Sequence, residues 1–89
     1  MGDGKDRRSY QGGKKFVTEF SEADRRYYRA GRKVWWQDGG KWHTGLIVRC
    51  ATQDPTGAWF ITVMNTDKPT KNVDSGETTK VYPGRVKRL

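Results

Sequence analysis

Cysteine is almost absent from this chain: Cys50 is the only one among 89 residues. A lone thiol makes no intramolecular disulfide, and no apolar leader stands at the N-terminus. A reducing, intracellular setting is therefore expected, cytoplasmic or, in a eukaryote, nuclear. Histidine is as scarce. His43 stands alone between Trp42 and Thr44, whereas a zinc site needs about four ligands in paired spacings. A nucleophile–base pair of Cys50 and His43 has no local signature to support it. Glycine-rich phosphate loops of the dinucleotide or Walker kind are missing as well. No metal, cofactor or catalytic residue is expected, and the chain reads as a non-enzymatic protein. Long apolar runs are also lacking; nothing approaches the roughly 18 residues that a membrane span needs, so no membrane partner is expected.

Acidic residues are few. Ten Asp and Glu face 18 Lys and Arg, leaving a net charge of +8 and a pI near 9.9. So basic a balance on one small domain is the electrostatic footprint of a protein that binds nucleic acid or an acidic partner. Only 33% of residues are hydrophobic, but 12% are aromatic, and each buried ring removes a large apolar area from water. One folded domain with a modest core follows.

Residues 1–15, "MGDGKDRRSYQGGKK", hold four glycines and five basic residues without apolar periodicity. They are expected to form a flexible basic arm. Residues 16–31 form the lead-in and a helix over "FSEADRRYYRAG", with Ser21 as cap, Glu22 and Asp24 in the first turn and Gly31 as the stop. Phe20, Ala23, Tyr27 and Ala30 share one helical face, while Arg25, Arg26 and Arg29 gather on the other, either solvated or facing phosphate.

From residue 32 the period changes to two. "KVWWQ", "WHTGLIVRC", "AWFITVMN", "TTKVYP" and "GRVKRL" read as five short strands, with turns at "DGG" and "TQDPTG" and a long polar loop over 66–77. Five strands without intervening helices imply a mainly β protein: a small antiparallel barrel over 32–89 that hides its edges by closing.

The order of these signals resembles the SH3-like barrel of the Tudor and retroviral integrase C-terminal type. "KVWWQD" is similar to the first integrase strand, "KWHTGLIVRC" to the second, "GAWFIT" to the third, and "KVYPGRVKRL" to the ending Val-x-Pro-basic-x-basic-aliphatic. KOW-like barrels of ribosomal and transcription factors are related in shape. The resemblance covers about two thirds of the chain and implies a five-stranded SH3-like barrel, preceded here by a short N-terminal helix, that binds DNA or docks on protein. Eighty-nine residues hold neither a catalytic core nor a zinc-binding domain, so integrase chemistry is not expected. Gln37 stands where the integrase strand often carries a basic residue, and the 66–77 loop is longer than that family's connection.

Strand alternation sorts the rings. Val34 and Trp36 are expected in the core, with Trp35 outside near the helix; Ile61 and Val63 are core and carry Trp59 to the rim. Trp42, directly after the hairpin turn, and Phe60 join Trp35 as the expected aromatic surface. In Tudor-like barrels such rings, here Trp35 or Trp36 with Trp42 and Phe60, cage methylated Lys or Arg, yet the 66–77 loop supplies no aromatic, only Asp67, Asp74 and Glu77. Cations beside exposed rings also hold nucleic acid, backbone on the cations and bases on the rings. Arg85, Lys87 and Arg88 rank first because they stand at the family's basic ending; Lys33, Lys41, Arg49 and Lys80 follow, with Arg25, Arg26 and Arg29 of the helix. The expected function is an accessory protein that binds nucleic acid through phosphates with low sequence specificity, DNA weakly favoured over RNA. The rival is an interaction module, such as a phage or viral regulator, docking on a larger assembly through its tryptophan-rich face. Either would act as a monomer or a weak homodimer.

Overall fold

The structure is a computed structural model that describes residues 19–89. The basic arm expected at 1–15, and residues 16–18 of the lead-in, lie outside the described residues.

Helix α1 runs from Glu22 to Tyr27, and Ser21 caps it by accepting from the Asp24 N–H at 3.0 Å. The helix is shorter than its punctuation implies. It ends because Tyr28 leaves helical backbone (φ −83°, ψ 70°) and drives its ring into the core, edge-on to Phe20 at 5.7 Å. The buried face is therefore Phe20 and Tyr28, while Ala23 and Ala30, expected on it, are exposed. Gly31 does not stop the helix; at φ 95° it turns the chain into the sheet, its N–H bonded to the Ile47 carbonyl.

Five strands follow: β1 (Lys33–Asp38), β2 (Lys41–Gln53), β3 (Trp59–Asn65), β4 (Thr78–Val81) and β5 (Val86–Arg88). Gly39 and Gly40 both take positive φ, 60° and 78°, the geometry of a two-residue hairpin turn whose twist matches the strands it joins. That turn fixes the register Trp36↔His43 and Asp38↔Lys41. Strand β2 is long because it serves two partners. Its first half pairs with β1, and Gly45–Gln53 pairs with β3, through register shifts at Ile47/Arg49 and Arg49/Thr52. Such bulges bend a strand sharply.

The strand order is β4-β3-β2-β1-β5, all antiparallel. Five antiparallel strands agree with the sequence; the closed barrel does not. Among the described residues no ladder joins β4 to β5. A tight turn, with the Arg85 N–H on the Tyr82 carbonyl, sends β5 instead across to β1, where the Gln37 N–H bonds the Arg85 carbonyl.

The core lies on the concave side: Val34, Trp36, Ile47, Ile61, Val63, Val81 and Val86, closed by Phe20, Tyr28 and Val73. Trp36 is 2% exposed, and its indole N–H donates to the Thr44 carbonyl at 2.9 Å. Gly45 makes room for it. A Cβ there would clash with Val63 Cγ1 and lie 2.7 Å from Trp36 Cδ1. Trp59 packs at the rim, as alternation implies. Trp35 does point outward, but α1 packs on the inner side, so the expected contact between Trp35 and the helix is not made.

The 66–77 loop is not a loose tether. Asn65, 1% exposed, donates its side-chain amide to the Lys68 and Val73 carbonyls and accepts from the Asp67 N–H. This pins the loop so that Val73 enters the core.

Candidate nucleic-acid interface

Along β1 and the first half of β2 the inward positions alternate with outward ones, and the outward ones form the convex face. On β1 these are Lys33, Trp35 and Gln37; on β2 they are Trp42, Thr44 and Leu46, set opposite them as Lys33↔Leu46, Trp35↔Thr44 and Gln37↔Trp42. On β5, Lys87 stands opposite Trp35. One row therefore crosses three strands as Lys87–Trp35–Thr44, and the next carries Gln37–Trp42. The Lys87 ammonium reaches diagonally over β1 to sit 4.3 Å from the Trp42 ring centroid. Trp35 and Trp42 are both half-buried, so each presents part of its ring to solvent. Beside them Lys33, Thr44, Leu46, Thr66 and Leu89 line a groove of about 500 Å³.

Beyond the bend of β2 the convex face continues differently. Arg49, Thr62 and Lys80 form a row across β2, β3 and β4. Phe60, expected on the aromatic surface, is 9% exposed here, beneath Tyr82 and the Lys80 ammonium (4.7 Å). The bulges in β2 and the cover from Tyr82 account for its burial. This second surface is cationic and threonine-lined, with Tyr82 as the exposed ring at its edge.

The three cations ranked first from the sequence do not share a face. Lys87 lies on the convex side, Arg85 in the exposed turn before β5, and Arg88 turns toward α1. Arg88 pairs with Asp24 at 3.1 Å and lies 4.4 Å from the Tyr27 ring centroid, stapling the helix to β5. Lys41 is exposed at the hairpin, lining a hollow with His43, Thr70 and Lys71. The helix arginines also divide. Arg25 folds back to donate to the Phe20 carbonyl and stack on Trp59, Arg26 pairs with Glu22, and Arg29 is exposed.

Four acids are occupied elsewhere. Asp38 accepts from Thr70 and Asn72, which hold its carboxyl below its usual value. Asp54 is held low by the Thr56 hydroxyl, and Asp67 by the Lys68 N–H. Glu77 accepts from the Asp74 N–H. Neutral donors of the turns thus satisfy these carboxylates. Among the described residues, Lys33, Lys41, Arg49, Lys80, Arg85 and Lys87 have no acidic side chain in ion-pair contact.

His43 faces inward, 5.3 Å from Trp36 between ring centroids and 3.4 Å from Asp67, while Cys50 is exposed. Among the described residues no group of three or more His, Cys, Asp or Glu gathers as a metal would require, and no helix is long and apolar enough to cross a membrane. The sequence reading passed over Asn65 and Leu46. The first had no pattern to betray it; the second shares the period-two spacing of Trp42 and Thr44. No protein-family model, curated protein or solved structure matches the chain.

Proposed function

We propose that this chain is a non-enzymatic nucleic-acid-binding module that holds its partner through phosphates with low sequence specificity. The observation that carries the proposal is the separation of charge. Asp38, Asp54, Asp67 and Glu77 are tied up in turns by hydroxyls and amides, while Lys33, Lys87, Arg49 and Lys80 stand on the convex face of the sheet without acidic partners among the described residues. Uncompensated cations on a continuous surface raise local anion concentration and exchange counterions with a phosphate backbone. Only Gln37 and Arg49 on that face carry groups that pair with base edges, set among lysines, threonines and rings, which is why low specificity is part of the proposal.

We also read the sheet as an SH3-like small barrel with an unsealed seam. Support comes from the strand order, from the long bent β2 shared between two halves, and from the single tight turn that carries the chain from β4 to β5 beside β1.

The test is fluorescence anisotropy of labelled duplex DNA, single-stranded DNA and RNA, comparing the chain with a variant in which Lys33, Lys87, Arg49 and Lys80 are all alanine. Affinity for every form is expected to fall at least tenfold. Unchanged affinity would contradict the proposal. If the variant instead loses no nucleic acid while a Trp35 and Trp42 double variant loses capture of a protein assembly, the interaction-module reading replaces it.

A further inference from the structure

The two cationic stretches of the convex face differ in one respect that matters to a nucleic acid. Around Arg49, Thr62 and Lys80 the ring of the face, Phe60, is buried beneath Tyr82, so that stretch borders a single exposed ring and no pair of rings. Around Lys87 two half-buried indoles stand together. Trp35 and Trp42 occupy diagonal positions on adjacent strands, because Trp35 faces Thr44 and Trp42 faces Gln37. Diagonal neighbours in an antiparallel pair are about 7–8 Å apart, close to the rise between successive bases of an extended single strand. Lys87 spans β1 between them, its ammonium 4.3 Å from the Trp42 ring centroid.

We infer that Trp35, Trp42 and Lys87 form a stacking platform for unpaired bases, so that the partner on this face is single-stranded nucleic acid. The inference rests on the nucleic-acid reading above and names the form of partner that this part of the face takes. One phosphate sits at Lys87, and the flanking bases lie on the two indoles. In the free protein the Lys87 ammonium partly covers Trp42. A cation on an exposed ring is held more weakly than a stacked base, so an incoming base displaces the stem while the charge swings to the phosphate. Further along, the groove bounded by Lys33, Leu46 and Leu89 continues the track with an apolar floor and a cation at its rim. Paired bases present edges, not faces, to a protein surface. A duplex therefore gains from the cations alone and leaves both indoles unused.

Three probes separate rings from charge: an oligothymidylate, an abasic oligomer with the same number of phosphates, and a duplex of the same strand length. Titrated into the full chain, the oligothymidylate is expected to quench tryptophan fluorescence and to bind about tenfold more tightly than the abasic oligomer. Trp42→Ala is expected to remove most of that tenfold advantage and leave abasic binding unchanged. Trp42 lies outside the core, so the variant should fold; a thermal melt verifies this, and the wild-type quenching stands without any variant. Equal affinity for oligothymidylate and abasic oligomer, with no quenching, overturns the platform while leaving phosphate binding intact. Absence of binding to all three probes at low salt overturns the phosphate reading itself, and the platform with it.

Discussion

Gly45 is the residue on which the packing of the sheet depends most narrowly. Trp36 lies against its backbone, and the indole N–H is fixed to the carbonyl of the preceding residue, Thr44. A methyl group at position 45 would push into Val63 and Trp36 together, and neither buried side chain has space to yield. Gly45→Ala should destabilise the fold by about 1–3 kcal/mol, as overpacking does in a filled core, read as a lower denaturation midpoint in urea. An unchanged midpoint would mean that the sheet opens locally to admit the methyl. Asn65 is the polar counterpart. Asn65→Ala leaves the Lys68 and Val73 carbonyls and the Asp67 N–H without that partner, a loss of about 1–3 kcal/mol. Hydrogen exchange should then quicken across 66–77 before it does in β2. The core placement of Val34, Trp36, Ile61 and Val63 was legible because a two-residue period sorts faces regardless of distant contacts. Asn65 was not legible. Its burial depends on carbonyls up to eight residues away, which no local pattern encodes.

Among the elements, α1 shows how rings outweigh charge. The helix is six residues long, too short to hold by its own hydrogen bonds. Two ties dock it: the Phe20 and Tyr28 rings in the core, and the Arg88–Asp24 pair, whose side chains are 49% and 37% exposed. Partly exposed ion pairs contribute about 0.2–1 kcal/mol, whereas removing a buried aromatic costs about 3–5 kcal/mol. Tyr28→Ala should therefore undock the helix and lower stability by roughly 3 kcal/mol, while Asp24→Asn should cost less than about 1 kcal/mol. Paired urea titrations decide it; a larger loss from Asp24→Asn would reverse the assignment. The capping serine and acidic first turn located the start of α1 in the sequence. Its end was misplaced at Gly31 because Tyr28, pulled inward by tertiary packing, breaks the helix before any local stop signal. The same limit applies to Phe60. Alternation puts it outside, and only the later Tyr82 and Lys80 cover it.

The whole molecule carries its charge unevenly, and this governs its response to pH and salt. Asp38, Asp54 and Asp67 are each held below their ordinary values by hydrogen bonds. A carboxyl that is more acidic folded than unfolded stabilises the fold above its unfolded value, near 4. That contribution is lost as the pH falls through the folded value. Stability in urea should be level from pH 7 to about 5 and decline below about pH 4; a midpoint as high at pH 3 as at pH 7 would exclude these bonds as contributors. The five antiparallel strands were legible from turn residues and alternation, but the open seam was not. Whether the outer strands meet depends on the bend of β2 and the path of β5, which no single strand specifies.

The central claim is that the convex cations meet phosphate, and the salt dependence of binding tests it most directly. Anisotropy of a labelled single strand should be followed from about 50 to 200 mM salt. With three to four cations engaged, log K should fall linearly against log salt with a slope of about −2 to −3, and Lys87→Ala should flatten that slope by roughly 0.7. An affinity that does not change across the series would contradict the account.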